Sequence, residues 1–137
     1  MIAHRGHCRC EGVVISVHAE PEISVYCHCD DCCRSTGAPV IASVGMPRDA
    51  TTWIAADSLA SYVQGTCTRT FCELCGTPVA QEHESAPDLV FFYTAFMDDP
   101  GRFPPTYHSF EGQQIEWLAL ADDLPRYEKT KLIEVHS

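Results

Sequence analysis

Nine cysteines in 137 residues fall into three tight groups: Cys8 and Cys10; Cys27, Cys29, Cys32 and Cys33; and Cys67, Cys72 and Cys75. Spacings of one and two residues suit chelation, because neighbouring thiolates converge on one ion, whereas bridging near neighbours as a disulfide strains the backbone. A disulfide framework calls for an even count and a secreted chain. Here the count is odd, and the first twenty residues scatter Arg5, Arg9, Glu11 and Glu20 among His4, His7 and His18 without a continuous apolar stretch. They do not read as a secretory signal, and the expected location is cytoplasmic.

The length supports one core and is too short for two, so the chain is read as a single domain over residues 1–137 with its core about residues 5–120. No run approaches the eighteen or more apolar residues a membrane helix needs. Nine Lys and Arg against nineteen Asp and Glu give a formal charge of −10 with no basic cluster, which opposes the approach of a polyanion. Nucleic-acid and membrane partners are therefore not expected. A homo-oligomer is compatible with the sequence, which leaves the oligomeric state open.

Short alternating segments bounded by turn residues dominate the pattern. Val13, Ile15 and Val17 share one face, Ile23 and Val25 lead into the second cysteine group, and Val40 to Val44 is another apolar segment. Further strands are expected at Thr51–Ile54, Ser61–Val63, Thr68–Phe71, Pro78–His83, Leu89–Thr94 and Ile115–Leu118. One helical turn is expected at Asp57–Ser61 and another at Asp122–Lys129. Met97–Pro105 is read as an irregular loop because of its prolines, and the apolar residues Leu132, Ile133 and Val135 make the tail either an edge strand or loose chain. The fold class is mainly β, a small domain of short antiparallel strands.

Cys72-Glu73-Leu74-Cys75-Gly76 is a Cys-x-x-Cys knuckle, which supplies two of the four ligands of a closed tetrahedral zinc site. Cys8-Arg9-Cys10 can supply the other two, because residues i and i+2 of an extended segment project from the same face. Joining Cys10 to Cys72 closes a loop of roughly sixty residues at a cost on the order of 3 to 4 kcal/mol, so the ion acts as a staple. The competing reading is buried, unligated thiols packing as small hydrophobes.

Cys27, Cys29 and Cys32 place three thiolates in one segment, the arrangement of a catalytic zinc with an open fourth position. A purely structural second zinc, completed by a remote cysteine or histidine, is the alternative. His28 in an extended segment points away from the side shared by Cys27 and Cys29, and Cys33 diverges from Cys32 as an accessory thiol. An open zinc position favours a soft ligand such as a substrate thiol, held as a thiolate. Proton transfer then needs an acid or an imidazole, for which Asp30, Asp31, Glu73, His83 and His108 are the candidates, Asp31 and His108 foremost.

Three ordered stretches carry a resemblance. They are Gly6-His7-Cys8-Arg9-Cys10, then Cys27-His28-Cys29-Asp30-Asp31-Cys32 with Arg34 and Gly37, then Arg69-Thr70-Phe71-Cys72-Glu73-Leu74-Cys75-Gly76-Thr77. Together with Met97-Asp98-Asp99-Pro100, Pro105-Thr106-Tyr107-His108 and Trp117, they resemble the glutathione-dependent formaldehyde-activating family, also called the centromere protein V domain family. The resemblance implies an Mss4-like, zinc-stabilised β fold. It also implies a structural zinc on Cys8, Cys10, Cys72 and Cys75 and a second zinc on Cys27, Cys29 and Cys32 facing an active-site cleft. The implied activity is that of a carbon-sulfur lyase forming or breaking a small thiol adduct such as S-hydroxymethylglutathione, with glutathione as the implied thiol. Two positions depart from the family pattern: Glu11 stands where a glycine usually follows the first pair, and Cys33 where a basic residue is common.

Without an evident acid-base pair, a noncatalytic zinc-stabilised protein-binding module is the competing expectation. Its interaction surface would lie on the loop carrying Phe103, Tyr107 and Phe110.

Overall fold

A computed structural model describes residues 3–129. Among these residues ten strands form two sheets. β1 (His4–His7), β2 (Val14–Val17) and β5 (Thr51–Ala55) make a three-stranded antiparallel sheet in the order β1-β2-β5. A seven-stranded sheet contains β3 (Ile23–Cys27), β4 (Ile41–Pro47), β6 (Leu59–Gln64), β7 (Cys67–Cys72), β8 (Pro78–His83), β9 (Leu89–Tyr93) and β10 (Tyr107–Ser109). Its order is β10-β3-β4-β9-β8-β7-β6. The domain is mainly β, as expected, but not wholly antiparallel, because β10 returns to pair with β3 in parallel. The loop from Met97 to Pro105 makes that long return and holds only a 3-10 turn at Pro100–Arg102.

Alternation of side chains assigns the two faces of the large sheet. Val44 and Met46 of β4, Ala80 of β8, and Val90 and Phe92 of β9 point to one side, where Ile15 and Val17 of the small sheet, with Val13 just before it, meet them in the main core. Trp53 and Phe92 tie the sheets together with ring centroids 5.6 Å apart. The intervening positions, Val25, Ser43, Phe91, Gln81, His83, Arg69 and Cys67, border a cleft on the opposite face. All five residues of β9 are buried because both of its faces are covered, which is why it reads as a continuous apolar run.

Four local expectations change. Asp57 and Ser58 form a turn, but Leu59 onward is strand rather than helix, since pairing of β6 with β7 from Leu59↔Cys72 to Gln64↔Cys67 outweighs a weak local preference. Ile115–Leu118 is a turn, closed by the Leu118 N–H on the Ile115 carbonyl, and Trp117 is exposed. Asp122–Lys129 is extended instead of helical. It docks beside β10, with the His108 N–H donating to the Pro125 carbonyl and the Tyr127 N–H to the His108 carbonyl. Finally, a helix, α1 (Asp30–Thr36), follows β3 through the second cysteine group, where no helix was expected.

Residues of the tail assigned either to an edge strand or to loose chain, Leu132, Ile133 and Val135, lie outside the described residues. Among the described residues no helix is long and apolar enough to cross a membrane.

Candidate metal centres and cleft

The first cysteine group and the knuckle converge on the core side of the sheet. The sulfurs of Cys8, Cys10, Cys72 and Cys75 all lie within 4.8 Å of one another, Cys8 to Cys10 at 3.7 Å and Cys10 to Cys72 at 3.6 Å. A tetrahedral ion with metal–sulfur bonds of about 2.3 Å sets sulfur–sulfur edges of about 3.8 Å, so the four thiols have the dimensions of a closed metal site. None of the nine cysteines is in a disulfide.

Donors reach three of the four sulfurs. The Val13 N–H donates to Cys8 Sγ at 3.2 Å, and the hydroxyls of Ser58 and Thr77 lie 3.2 and 3.1 Å from Cys72 and Cys75. Ser58 lowers the Cys72 pKa, and the Thr77 hydroxyl and amide bring Cys75 down to about 5. In the knuckle the Gly76 N–H reaches the Cys72 carbonyl at 2.8 Å with Gly76 at φ 78°, a conformation that suits glycine.

Cys8 and Cys10 do not project from an extended strand as the spacing suggested. They sit in a turn, closed by the Glu11 N–H on the Cys8 carbonyl at 2.9 Å, and Glu11 takes the left-handed conformation at φ 63°. The missing glycine is thus a backbone matter: glutamate occupies a position whose geometry favours glycine.

The second group lies on the cleft side. Cys27 ends β3, Cys29 caps α1 by accepting the Cys32 N–H on its sulfur at 3.2 Å, and Cys32 is buried in the first turn. Asp30 and Asp31 in that turn, with Gly37 at φ 74° beyond the last residue, complete the helix signals. The sulfurs of Cys27, Cys29 and Cys32 lie within 4.8 Å of one another, Cys27 to Cys32 at 3.7 Å. Three ligands of tetrahedral spacing leave a fourth direction, and the group borders a cleft of about 580 Å³.

Arg69, on β7, reaches this group from the sheet. Its Nη2 and Nη1 lie 3.7 and 3.8 Å from Cys32 Sγ, and Nη1 also donates to Gln81 Oε1 at 3.1 Å and the Tyr93 hydroxyl at 3.0 Å. The neighbouring Cys27 and Cys29 thiols, followed by Arg69, hold the Cys32 pKa down at about 3, while contact with Cys29 and Cys32 and burial push Cys27 up. Burial raises the Tyr93 phenol to about 12. Arg69 thus favours the charged form of the sulfur it touches, that of Cys32.

Of the candidate acid-base groups, three border the cleft. Asp30 and Asp31 stand at its rim on α1, with Asp30 paired to Arg34 at 2.8 Å. His83 stands on the opposite wall, its pKa lowered by burial and then by Arg69, so that it is neutral at physiological pH. Glu73 belongs to the knuckle on the other side of the sheet, where its N–H bonds the Ser58 carbonyl.

His108 is fully buried on the core face, stacked on Tyr26, with Nε2 3.0 Å from Asp122 and Nδ1 2.8 Å from His28 Nε2. An ionised Asp122 only accepts, so His108 carries its proton on Nε2 and accepts from His28 Nε2–H. This buried chain anchors the residue between Cys27 and Cys29 and does not open on the cleft. His28 points away from the trio, as its position in an extended segment implied. Cys33 lies outside the trio, its sulfur 4.0 Å from the His28 carbonyl, and Cys67 borders the cleft on β7. Phe103 and Tyr107 are buried and Phe110 is half-buried against the second group, so that loop covers the core.

Arg69, Gln81 and Tyr93 escaped the sequence reading as members of the site. The signal lies in the pairing: Arg69 stands opposite Gln81, and Cys67 opposite His83, across β7 and β8. A single strand does not disclose which partner faces it.

The profile of the glutathione-dependent formaldehyde-activating enzyme family matches residues 3–113. A crystal structure of a Rhodobacter sphaeroides protein superposes with a TM-score of 0.58 at 20% identity, covering 90% of this chain and 98% of that one, a likeness of fold alone. None of the curated proteins compared with the chain matches it significantly.

Proposed function

The chain belongs to the glutathione-dependent formaldehyde-activating enzyme family, and from that premise we propose that it is a zinc-dependent carbon-sulfur lyase acting on a small thiol adduct. Zinc on Cys8, Cys10, Cys72 and Cys75 staples an Mss4-like domain, and a second zinc on Cys27, Cys29 and Cys32 serves the cleft. The observation that carries this reading is the contrast between a closed set of four sulfurs on the core face and three sulfurs opening on a cleft.

Cys27, Cys29 and Cys32 would hold the zinc, which when bound would supply a Lewis acid that makes a substrate thiol more acidic at neutral pH. Arg69 offsets the negative charge that three thiolates bring there, and Gln81 and Tyr93 fix its guanidinium. His83 is a neutral base bordering the cleft, able to accept the proton a thiol releases. When the sulfur adds to an aldehyde carbon, a carbon-sulfur bond forms and the carbonyl oxygen takes that proton back from His83. The product is an S-hydroxyalkyl thioether, and the reverse sequence releases thiol and aldehyde.

Exchange NMR with labelled formaldehyde and a small thiol tests the reading. The zinc-loaded protein is expected to accelerate interconversion of thiol and S-hydroxymethyl adduct, and the Cys32→Ser variant to lose that acceleration. Equal rates with and without loaded protein, across a panel of thiols, would contradict it.

A further inference from the structure

The charges around the cleft bear on which thiol enters it. Arg69 is the sole lysine or arginine among the described residues that border the cleft, and its guanidinium is committed to Cys32, Gln81 and Tyr93. His83 is neutral. Arg34, close by on α1, is ion-paired with Asp30 and projects into solvent. The remaining charge at the rim is negative: Asp31 is exposed in the first turn of α1, and the nearby Arg34, which feels the charge of both aspartates, is hydrogen-bonded to Asp30. It faces Cys67 across the cleft closely enough to contribute to that thiol's raised pKa, after burial and Cys29.

A dication held by the three thiolates would carry one net negative charge, which Arg69 would offset, leaving Asp31 to set the sign at the entrance. Glutathione brings two carboxylates. Space does not exclude it, since about 580 Å³ suits a ligand of that size, and Gln64, Thr66, Ser85 and Gln113 offer uncharged donors, but among the described residues no uncommitted cation borders the cleft to balance its carboxylates. Carboxylates that gain neutral hydrogen bonds there still meet the repulsion of Asp31. A small thiol bearing an ammonium group meets Asp31 instead.

We propose that this cleft selects its thiol by charge, taking an ammonium-bearing or uncharged small thiol and disfavouring thiols that carry carboxylates, glutathione included. The inference rests on the second centre binding a thiol at all. Specificity then comes from one repulsive element, Asp31, and from the absence of a free cation among the described residues of the walls.

The test uses cobalt-loaded protein at one neutral pH and low ionic strength. It is titrated with 2-aminoethanethiol, 2-mercaptoethanol, 3-mercaptopropionate and glutathione, and binding is read from the cobalt ligand-field bands and from calorimetric heats. The expected order of affinity places 2-aminoethanethiol first and the two carboxylate thiols last. The same titrations on Asp31→Asn cancel differences in intrinsic thiol acidity, because each thiol is compared with itself. That substitution is expected to narrow the ratio between 2-aminoethanethiol and 3-mercaptopropionate by about fivefold, as is added salt. Tighter binding of glutathione than of 2-aminoethanethiol, or a ratio that Asp31→Asn leaves unmoved, overturns the inference while the thiol-binding reading stands. A cobalt spectrum that none of the four thiols changes overturns that reading and the inference with it.

Discussion

The Arg69 guanidinium lies 3.7 Å from the sulfur of Cys32, a buried cation beside the most acidic thiol of the second cysteine group. Both side chains are almost wholly out of water, so each offsets a charge that would be costly alone. Arg69→Gln is expected to weaken metal binding at the second centre about 10- to 100-fold, the usual cost of losing a partner that supports metal ligands, while the four-cysteine centre keeps its metal. Arg69→Lys retains the charge but not the fork that reaches Gln81 and Tyr93, and should fall between the two. Competition with a chromophoric chelator measures both variants.

The two centres should also separate in stability. Cys8 and Cys72 are fully buried in the main core, and a metal held there would close a loop of roughly sixty residues. Cys72→Ser, or exhaustive chelation, is expected to cost about 3 kcal/mol or more and to lower Tm by about 10 °C. Cys27→Ser should halve the metal content and leave a cooperative unfolding transition. Calorimetry with metal analysis distinguishes the outcomes, and a larger loss from Cys27→Ser than from Cys72→Ser would count against a structural role for the first centre.

Glu11 at φ 63° carries a left-handed backbone, a conformation that costs an L-residue roughly 1–2 kcal/mol. Glu11→Gly relieves the strain and adds some unfolded-state entropy, so a net gain of about 0.5–1 kcal/mol is expected. Denaturant unfolding of the metal-loaded pair measures it. A loss of stability would mean that the glutamate side chain compensates for its own backbone.

Acid sensitivity follows from His83. Burial, and then Arg69, hold its pKa below the ordinary histidine value of about 6.5, so below that pH the unfolded chain takes up a proton that the folded chain refuses. Its contribution to stability is complete above that pH and declines as pH falls toward the folded-state value, by at most about 1.4 kcal/mol per pH unit. His83→Gln should flatten this part of the profile relative to wild type when both are followed at saturating metal. Parallel profiles would assign the acid sensitivity to other groups.

Legibility of these features in the sequence varied with the range of the interaction. Strands such as Pro78–His83 and Leu89–Tyr93 were readable because alternation and continuous apolar runs are local signals. The two clusters of converging thiols were readable because cysteines at one- and two-residue spacing have few other uses. Helix α1 was missed although Asp30, Asp31 and Gly37 announce its ends, because its cap is the thiol of Cys29, a residue first read as a ligand. Leu59 and Ala60 were drawn into β6 by β7, and Arg69 joined the cysteines only through sheet register, neither of which a linear reading supplies. His108 looked like an acid-base group from its residue type, yet β10 turns it to the core face while Tyr107 and Ser109 border the cleft.

The central claim is one closed and one open thiolate centre, and X-ray absorption on the doubly loaded protein before and after adding a small thiol tests it most directly. The account predicts two metals per chain, four protein sulfurs at one and three at the other, with an additional sulfur scatterer appearing only at the second and absent in Cys27→Ser. Four protein ligands at both metals, with a spectrum that the thiol leaves unchanged, would contradict it.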